Sequence, residues 1–196
     1  MRKNSLILLI FIGLLIIGCS NKKSSTTNEN VMPQIVQGAL REVTLEQATE
    51  EADIIANITI TDIADVVEVS FDEWTTHEYT IYEAIVNHYI YDALGYGEQI
   101  KFLQAGGPNW QFDDDPLLEV GEIYIVFLDE REDTHIGRNL AMTGGPQGRY
   151  NKVGDVFVRQ VNPMGDNGLK ELTERELIQT LNERNEELNI DLSIIE

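Results

Sequence analysis

Nucleophilic catalysis needs a serine, threonine or cysteine held beside a base. In the part of the chain able to fold, the serines are Ser70 and Ser193, and neither sits in a Gly-x-Ser-x-Gly elbow. His77, His88 and His135 are widely spaced and form no His-Glu-x-x-His, so no zinc-enzyme motif is present and no cofactor is implied. Each is expected to be a surface or structural histidine. The run Asp113-Asp114-Asp115 follows Trp110 and Phe112 and precedes Pro116. Hard oxygen ligands on a loop suit calcium, with Asp113 and Asp115 the candidates. The EF-hand spacing is missing, however, and consecutive carboxylates do not converge unaided, so a solvated loop is expected. Carboxylate pairs among Asp113, Asp114, Asp115 and Glu119 also suit a hydrolase working by general acid and base, though such pairs arise by chance in an acidic chain. Two segments repeat a short phrase, Ala105-Gly106-Gly107-Pro108-Asn109-Trp110 and Thr143-Gly144-Gly145-Pro146-Gln147-Gly148. Glycine pairs before proline make tight turns. A sharper expectation puts both loops on one rim, where Gly107 and Gly145 let a sugar or peptide approach and Trp110 offers a stacking face.

The single cysteine, Cys19, follows a basic start (Arg2, Lys3) and an apolar run from Leu6 to Ile17. That is the shape of a secretory signal. The run is shorter than the ~20 residues a membrane-spanning helix needs, and Asn21-Lys22-Lys23 closes it. Ile16-Ile17-Gly18-Cys19 resembles the bacterial lipobox. The resemblance implies a diacylglycerol thioether on the Cys19 sulfur, cleavage between Gly18 and Cys19, and a palmitate-type anchor in the cell membrane. A lone thiol in an exported chain makes no disulfide, which fits that use.

The chain carries 34 Asp and Glu against 14 Lys and Arg, a formal charge of -20, and losing Arg2 and Lys3 with the leader makes it -22. So acidic a surface repels phosphate backbones, and nucleic-acid binding is excluded as an expectation. Residues 1–18 read as the signal peptide and residues 19–38 as a lipidated, flexible tether poor in large apolar residues. Residues 39–165 read as one domain and residues 166–196 as an amphipathic helix and tail.

The elements that position the candidate loops follow from periodicity. Thr44 and Gln47 form a capping box for a short helix burying Leu45, Ala48 and Ala52 and ending near Ala52. Ile54, Ala56, Ile58 and Ile60 alternate as in a half-buried strand. After a polar turn at Asp72-Glu73 comes a long strand with Tyr79, Ile81 and Ile85 on one face and Tyr82, Ala84 and Val86 on the other. Ile100 with Phe102, the run Gly121–Leu128, Leu140 with Met142, and Val156 with Val158 complete the set. No helices lie between them to make crossovers, so a mostly β fold is expected, an antiparallel OB-like barrel of five or six strands. At the end, Thr173-Glu174-Arg175-Glu176 is a second capping box, heading a helix with Leu177, Leu181 and Leu188 along one stripe.

Ala52-Asp53-Ile54-Ile55, Tyr79–Val86 and Gly121-Glu122-x-Tyr124-x-x-Phe127-Leu128 resemble a group of exported proteins of Gram-positive bacteria. More distantly they resemble the netrin-like OB-fold of the tissue inhibitors of metalloproteinases. The likeness spans roughly Leu40 to Val158 and implies a fold and a Gram-positive envelope. It transfers no functional residue, because the inhibitors chelate zinc through a free N-terminal cysteine clamped by disulfides, and this chain has only Cys19. The expected function is a non-enzymatic, membrane-anchored binding module for a protein or cell-envelope component. An immunity-type regulator of an exocytoplasmic enzyme and the carboxylate hydrolase stand as alternatives.

Overall fold

The computed structural model describes residues 33–37, 41–133, 135–166, 169–185, 188 and 190–195. The leader and Cys19 lie outside the described residues, as do most tether residues. In chain order the elements are β1 (Gln34–Val36), α1 (Leu45–Glu51), β2 (Ile54–Ser70), β3 (Thr76–Asp92), β4 (Gln99–Ala105), β5 (Trp110–Phe112), β6 (Ile123–Asp133), β7 (Gly137–Met142), β8 (Arg149–Val153), β9 (Val156–Arg159), β10 (Glu171–Leu172) and α2 (Glu174–Arg184).

The fold is mostly β. Eight strands form one sheet in the order β10-β9-β8-β6-β2-β3-β4-β7, and β7 also pairs with β6. The pairings β6-β2-β3-β4-β7 therefore return to β6, and the step from β4 to β7 is parallel and rests on one residue pair, Leu103 with Ala141. This corrects the expected five or six strands. β8 shows no apolar alternation, because Arg149–Val153 offers only Tyr150 and Val153 as large apolar residues, and two-residue β10 is too short to show a period. β1, drawn from the composition as tether, pairs in parallel with β5.

Two apolar layers explain the patterns. Ile54, Ala56, Ile58 and Ile60 meet Tyr82, Ala84, Phe102, Val126, Leu128 and Leu140 in the inner core. Ile55, Ile125 and Phe127, on the opposite faces of β2 and β6, join Leu45, Ala48, Tyr150, Phe157, Leu177, Ile178 and Leu181 in an outer one. The run Ile123–Leu128 is apolar throughout because β6 is covered on both faces. In β3 the faces are unequal: Thr80, Tyr82 and Ala84 are buried, whereas Ile85 is exposed.

Both helices carry full capping boxes, Thr44 with Gln47 and Thr173 with Glu176. The C-terminal stripe packs on the sheet through Leu177, Ile178 and Leu181. Leu188 is not on that helix, which ends at Arg184, but it still packs against the outer layer. A buried charge cluster ties the helices to the sheet. Arg159, 0% exposed, donates to Asp166 Oδ2 at 2.5 Å, Arg184 donates to Asp166 Oδ1 at 3.1 Å, and Asp166 accepts from the Leu45 N–H at the start of α1.

Candidate functional site

The hairpin of β2 and β3 is longer than the core needs. From Thr61 to Asp65 every residue of β2 is exposed, and the turn Phe71–Thr75 lies at the far end. Asp72 builds that turn by accepting from the Trp74 N–H, the Thr75 N–H and the Thr75 hydroxyl at 2.7, 2.7 and 3.1 Å. These bonds, the one from Trp74 foremost, hold its carboxyl below the usual range. Trp74 is thereby left 86% exposed at the tip, and Phe71 is 45% exposed beside it.

Phe71 belongs to a line of five rings. His135 meets Phe71 edge-on at 5.1 Å, Phe71 meets His77 at 5.1 Å, His77 stacks on Trp110 at 4.7 Å and 13°, and Phe112 meets Trp110 edge-on at 4.7 Å. Three separate chain segments supply them. Asp133 positions the third by accepting from the His135 and Ile136 N–H groups, which lowers its pKa. Trp110 is thus a stacking residue, with one face already taken by His77. β1 runs alongside, Gln34 pairing with Trp110.

Glu78 fixes the Trp110 loop. The residue is 5% exposed, and its carboxylate accepts from the Asn109 N–H (2.9 Å), the Asn109 amide (2.6 Å) and the Trp110 N–H (3.1 Å). Gly107 is needed here for space: a Cβ would lie 2.5 Å from Glu78 Oε2 and 2.7 Å from Glu78 Cβ. Gly107 is buried and serves the loop's geometry.

The second Gly-Gly-Pro loop borders a hollow that the first also reaches. Gly145 borders a hollow of about 290 Å³ with Ala105, Phe112, Asp115, Arg131 and Met142. Both loops therefore reach this hollow, but Trp110 and Gly107 do not line it. Gly144 and Gly145 adopt φ of 70° and 61°, and a Cβ on Gly144 would strike Val43 at 2.8 Å. A larger hollow, about 430 Å³, lies beside the first between β4 and β7, lined by Ile81, Phe102, Ile136 and Leu140 among others.

The acidic run is not a solvated loop throughout. Asp113 is exposed, but Asp115 is 4% exposed and lies 2.8 Å from Arg149 Nη1, an ion pair closer in distance than in hydrogen-bond alignment. Gln104 also donates to it at 2.7 Å. Burial pushes the Asp115 carboxyl up against the pull of Arg149 and Gln104. Asp115 is committed to Arg149, so it does not converge with Asp113 on a cation. Among the described residues, no three His, Cys, Asp or Glu side chains are placed to hold a metal ion. His88 lies elsewhere, 2.8 Å from Glu174 at the start of α2.

Phe71, Trp74, His77 and His135 did not stand out as a site in the sequence. Two aromatics flanking a polar turn, Phe71 and Trp74 around Asp72-Glu73, were the available signal, since a turn exposes what it carries. Compared with known proteins, the chain matches no family model, and no curated protein is similar enough in sequence to count as a relative.

Proposed function

We propose that this chain is a lipid-anchored, extracytoplasmic binding module that engages a protein or envelope component through the aromatic end of its long hairpin. The observation that carries the reading is Trp74, 86% exposed on a turn tied down by Asp72, beside a continuous line of rings ending at Phe112. Aromatic side chains displayed on a rigid turn cost little conformational entropy to bind with, and Trp and Tyr anchor interfaces more often than other residues. A monomer gains nothing in stability from exposing Trp74.

The five-strand cycle β2-β3-β4-β7-β6 supports reading the sheet as a partly open OB-like barrel, a fold whose loops commonly carry ligand sites. In that reading the β2–β3 and β6–β7 turns lie at one end, as the Phe71–His135 contact supports. The anchor is proposed on Cys19 alone, from the apolar run and Ile16-Ile17-Gly18-Cys19. The likeness to exported Gram-positive proteins favours that envelope.

Two comparisons test the parts separately. Parent and Cys19→Ala chains are grown in the host with labelled palmitate: the parent is expected to carry label and the variant none, and an unlabelled parent or a labelled variant rejects the anchor. Binding to peptidoglycan fragments is then compared for parent, Trp74→Ala and Trp110→Ala. Weaker binding by the variants supports an envelope ligand at the aromatic end, and equal binding rejects it.

A further inference from the structure

The weakest join in the sheet lies between β4 and β7. β4 is paired along one edge with β3, from Thr80 with Gln104 to Ile85 with Gln99, and β7 along one edge with β6, from Leu128 with Met142 to Asp133 with Gly137. Toward each other, they share only Leu103 with Ala141. Residues 99–102 and 137–140 thus present strand edges to one another without a ladder between them. The hollow of about 430 Å³ fills that space. Free strand edges are templates for pairing with another chain, and here two of them flank one apolar recess.

The chemistry of the lining is selective. Ile81, Phe102, Ile136 and Leu140 make the apolar floor and walls, and the charged residues are Lys101 and Arg138. No carboxylate lines it, in a chain with 34 Asp and Glu against 14 Lys and Arg. Lys101 pairs with Glu83 and Arg138 with Glu130, but these cations are 65% and 69% exposed, and such pairs exchange partners at little cost.

We propose that the β4–β7 seam receives an extended segment of a partner protein by strand addition, with apolar side chains in the hollow and acidic ones against Lys101 and Arg138. The backbone edges supply hydrogen bonds that any extended segment can use. The apolar floor and the two cations then choose among segments, favouring alternating apolar and acidic residues. This surface shares the β6–β7 turn with the aromatic end, through Ile136 beside His135, but uses neither Trp74 nor Trp110 and stands without the anchor.

The test uses the full chain in detergent micelles and two octapeptide pools, one alternating Val, Ile or Phe with Glu and the other alternating them with Lys. The acidic pool is expected to bind about tenfold more tightly or better, from opposite rather than like charges at the seam. Amide exchange followed by mass spectrometry is expected to slow by about tenfold or more in residues 99–104 and 137–142 together, as both edges become paired. The exposed double variant Lys101→Glu with Arg138→Glu is expected to reverse the preference, and Trp74→Ala to leave it unchanged. Failure of the acidic pool to bind, binding that protects neither or only one strand, or a preference untouched by the charge reversal overturns the proposal. So does occupation of the hollow by a simple fatty acid such as decanoate in place of the peptides.

Discussion

Replacing Glu78 with Ala removes the carboxylate that orders the Trp110 loop, and the structure sets the scale of the effect. Three N–H donors lose their acceptor: the Asn109 backbone, the Asn109 side chain and the Trp110 backbone. A hydrogen bond to a charged group contributes about 1.5–3 kcal/mol, but exposed Asn109 regains water once the loop loosens, so roughly half of the gross sum is lost, about 2–4 kcal/mol. With a urea dependence of about 2 kcal/mol per molar, the unfolding midpoint falls by about 1–2 M. Glu78→Gln keeps an acceptor for both backbone donors and lets the Asn109 amide turn, so its cost is about 1 kcal/mol. The assay is urea unfolding followed by tryptophan emission. The chain has two tryptophans, so a Trp74→Phe background leaves the signal to Trp110. Glu78→Ala is expected to shift emission already in the folded state, because the His77–Trp110 stack at 4.7 Å depends on where the loop holds the indole. An unchanged midpoint together with unchanged native emission refutes the reasoning and leaves Glu78 without an organising role.

Arg159→Met leaves buried Asp166 with Arg184 as its remaining cation, and breaking a buried pair by removing one partner costs about 3–5 kcal/mol. Chemical unfolding checks it, and a loss below about 1 kcal/mol contradicts a structural role for the cluster. Burial pulls the Glu174 carboxyl upward, but the contacts with His88 and Asn57 outweigh it and hold the group below its ordinary 4.5. A depressed folded value means that this carboxylate stabilises the fold above pH 4.5 and that the contribution disappears as pH falls through the folded value. Glu174→Gln is therefore expected to be less stable than the parent at neutral pH and to lose less of its stability on acidification below pH 4.5; parallel midpoint curves from pH 7 to 3 contradict this.

The parts of the fold that were legible in the sequence are those set by local pattern. Thr44 with Gln47 and Thr173 with Glu176 place their helix starts because a capping box is complete within four residues. Ile54, Ala56, Ile58 and Ile60 alternate because only one face of that stretch meets the inner core. The distal half of β2 was not legible, since Thr61–Asp65 is exposed and alternation has nothing to report. Nor were the long-range polar contacts. Asp115 read as one of three surface carboxylates, and what buries it is Arg149, 34 positions away. Glu78 carries no local signal, because its donors come from a loop 31 positions on. Trp110 is legible as an aromatic beside a turn, but its partner His77 comes from β3, which pattern alone does not bring beside β5.

The most direct test of the aromatic end as the binding face is photo-crosslinking in the host, with a photoreactive amino acid placed at Trp74 in one chain and at exposed Val153, the last residue of β8, in another. The account predicts discrete envelope adducts from position 74 and none from position 153. No adduct at 74, or equal adducts at both positions, contradicts it.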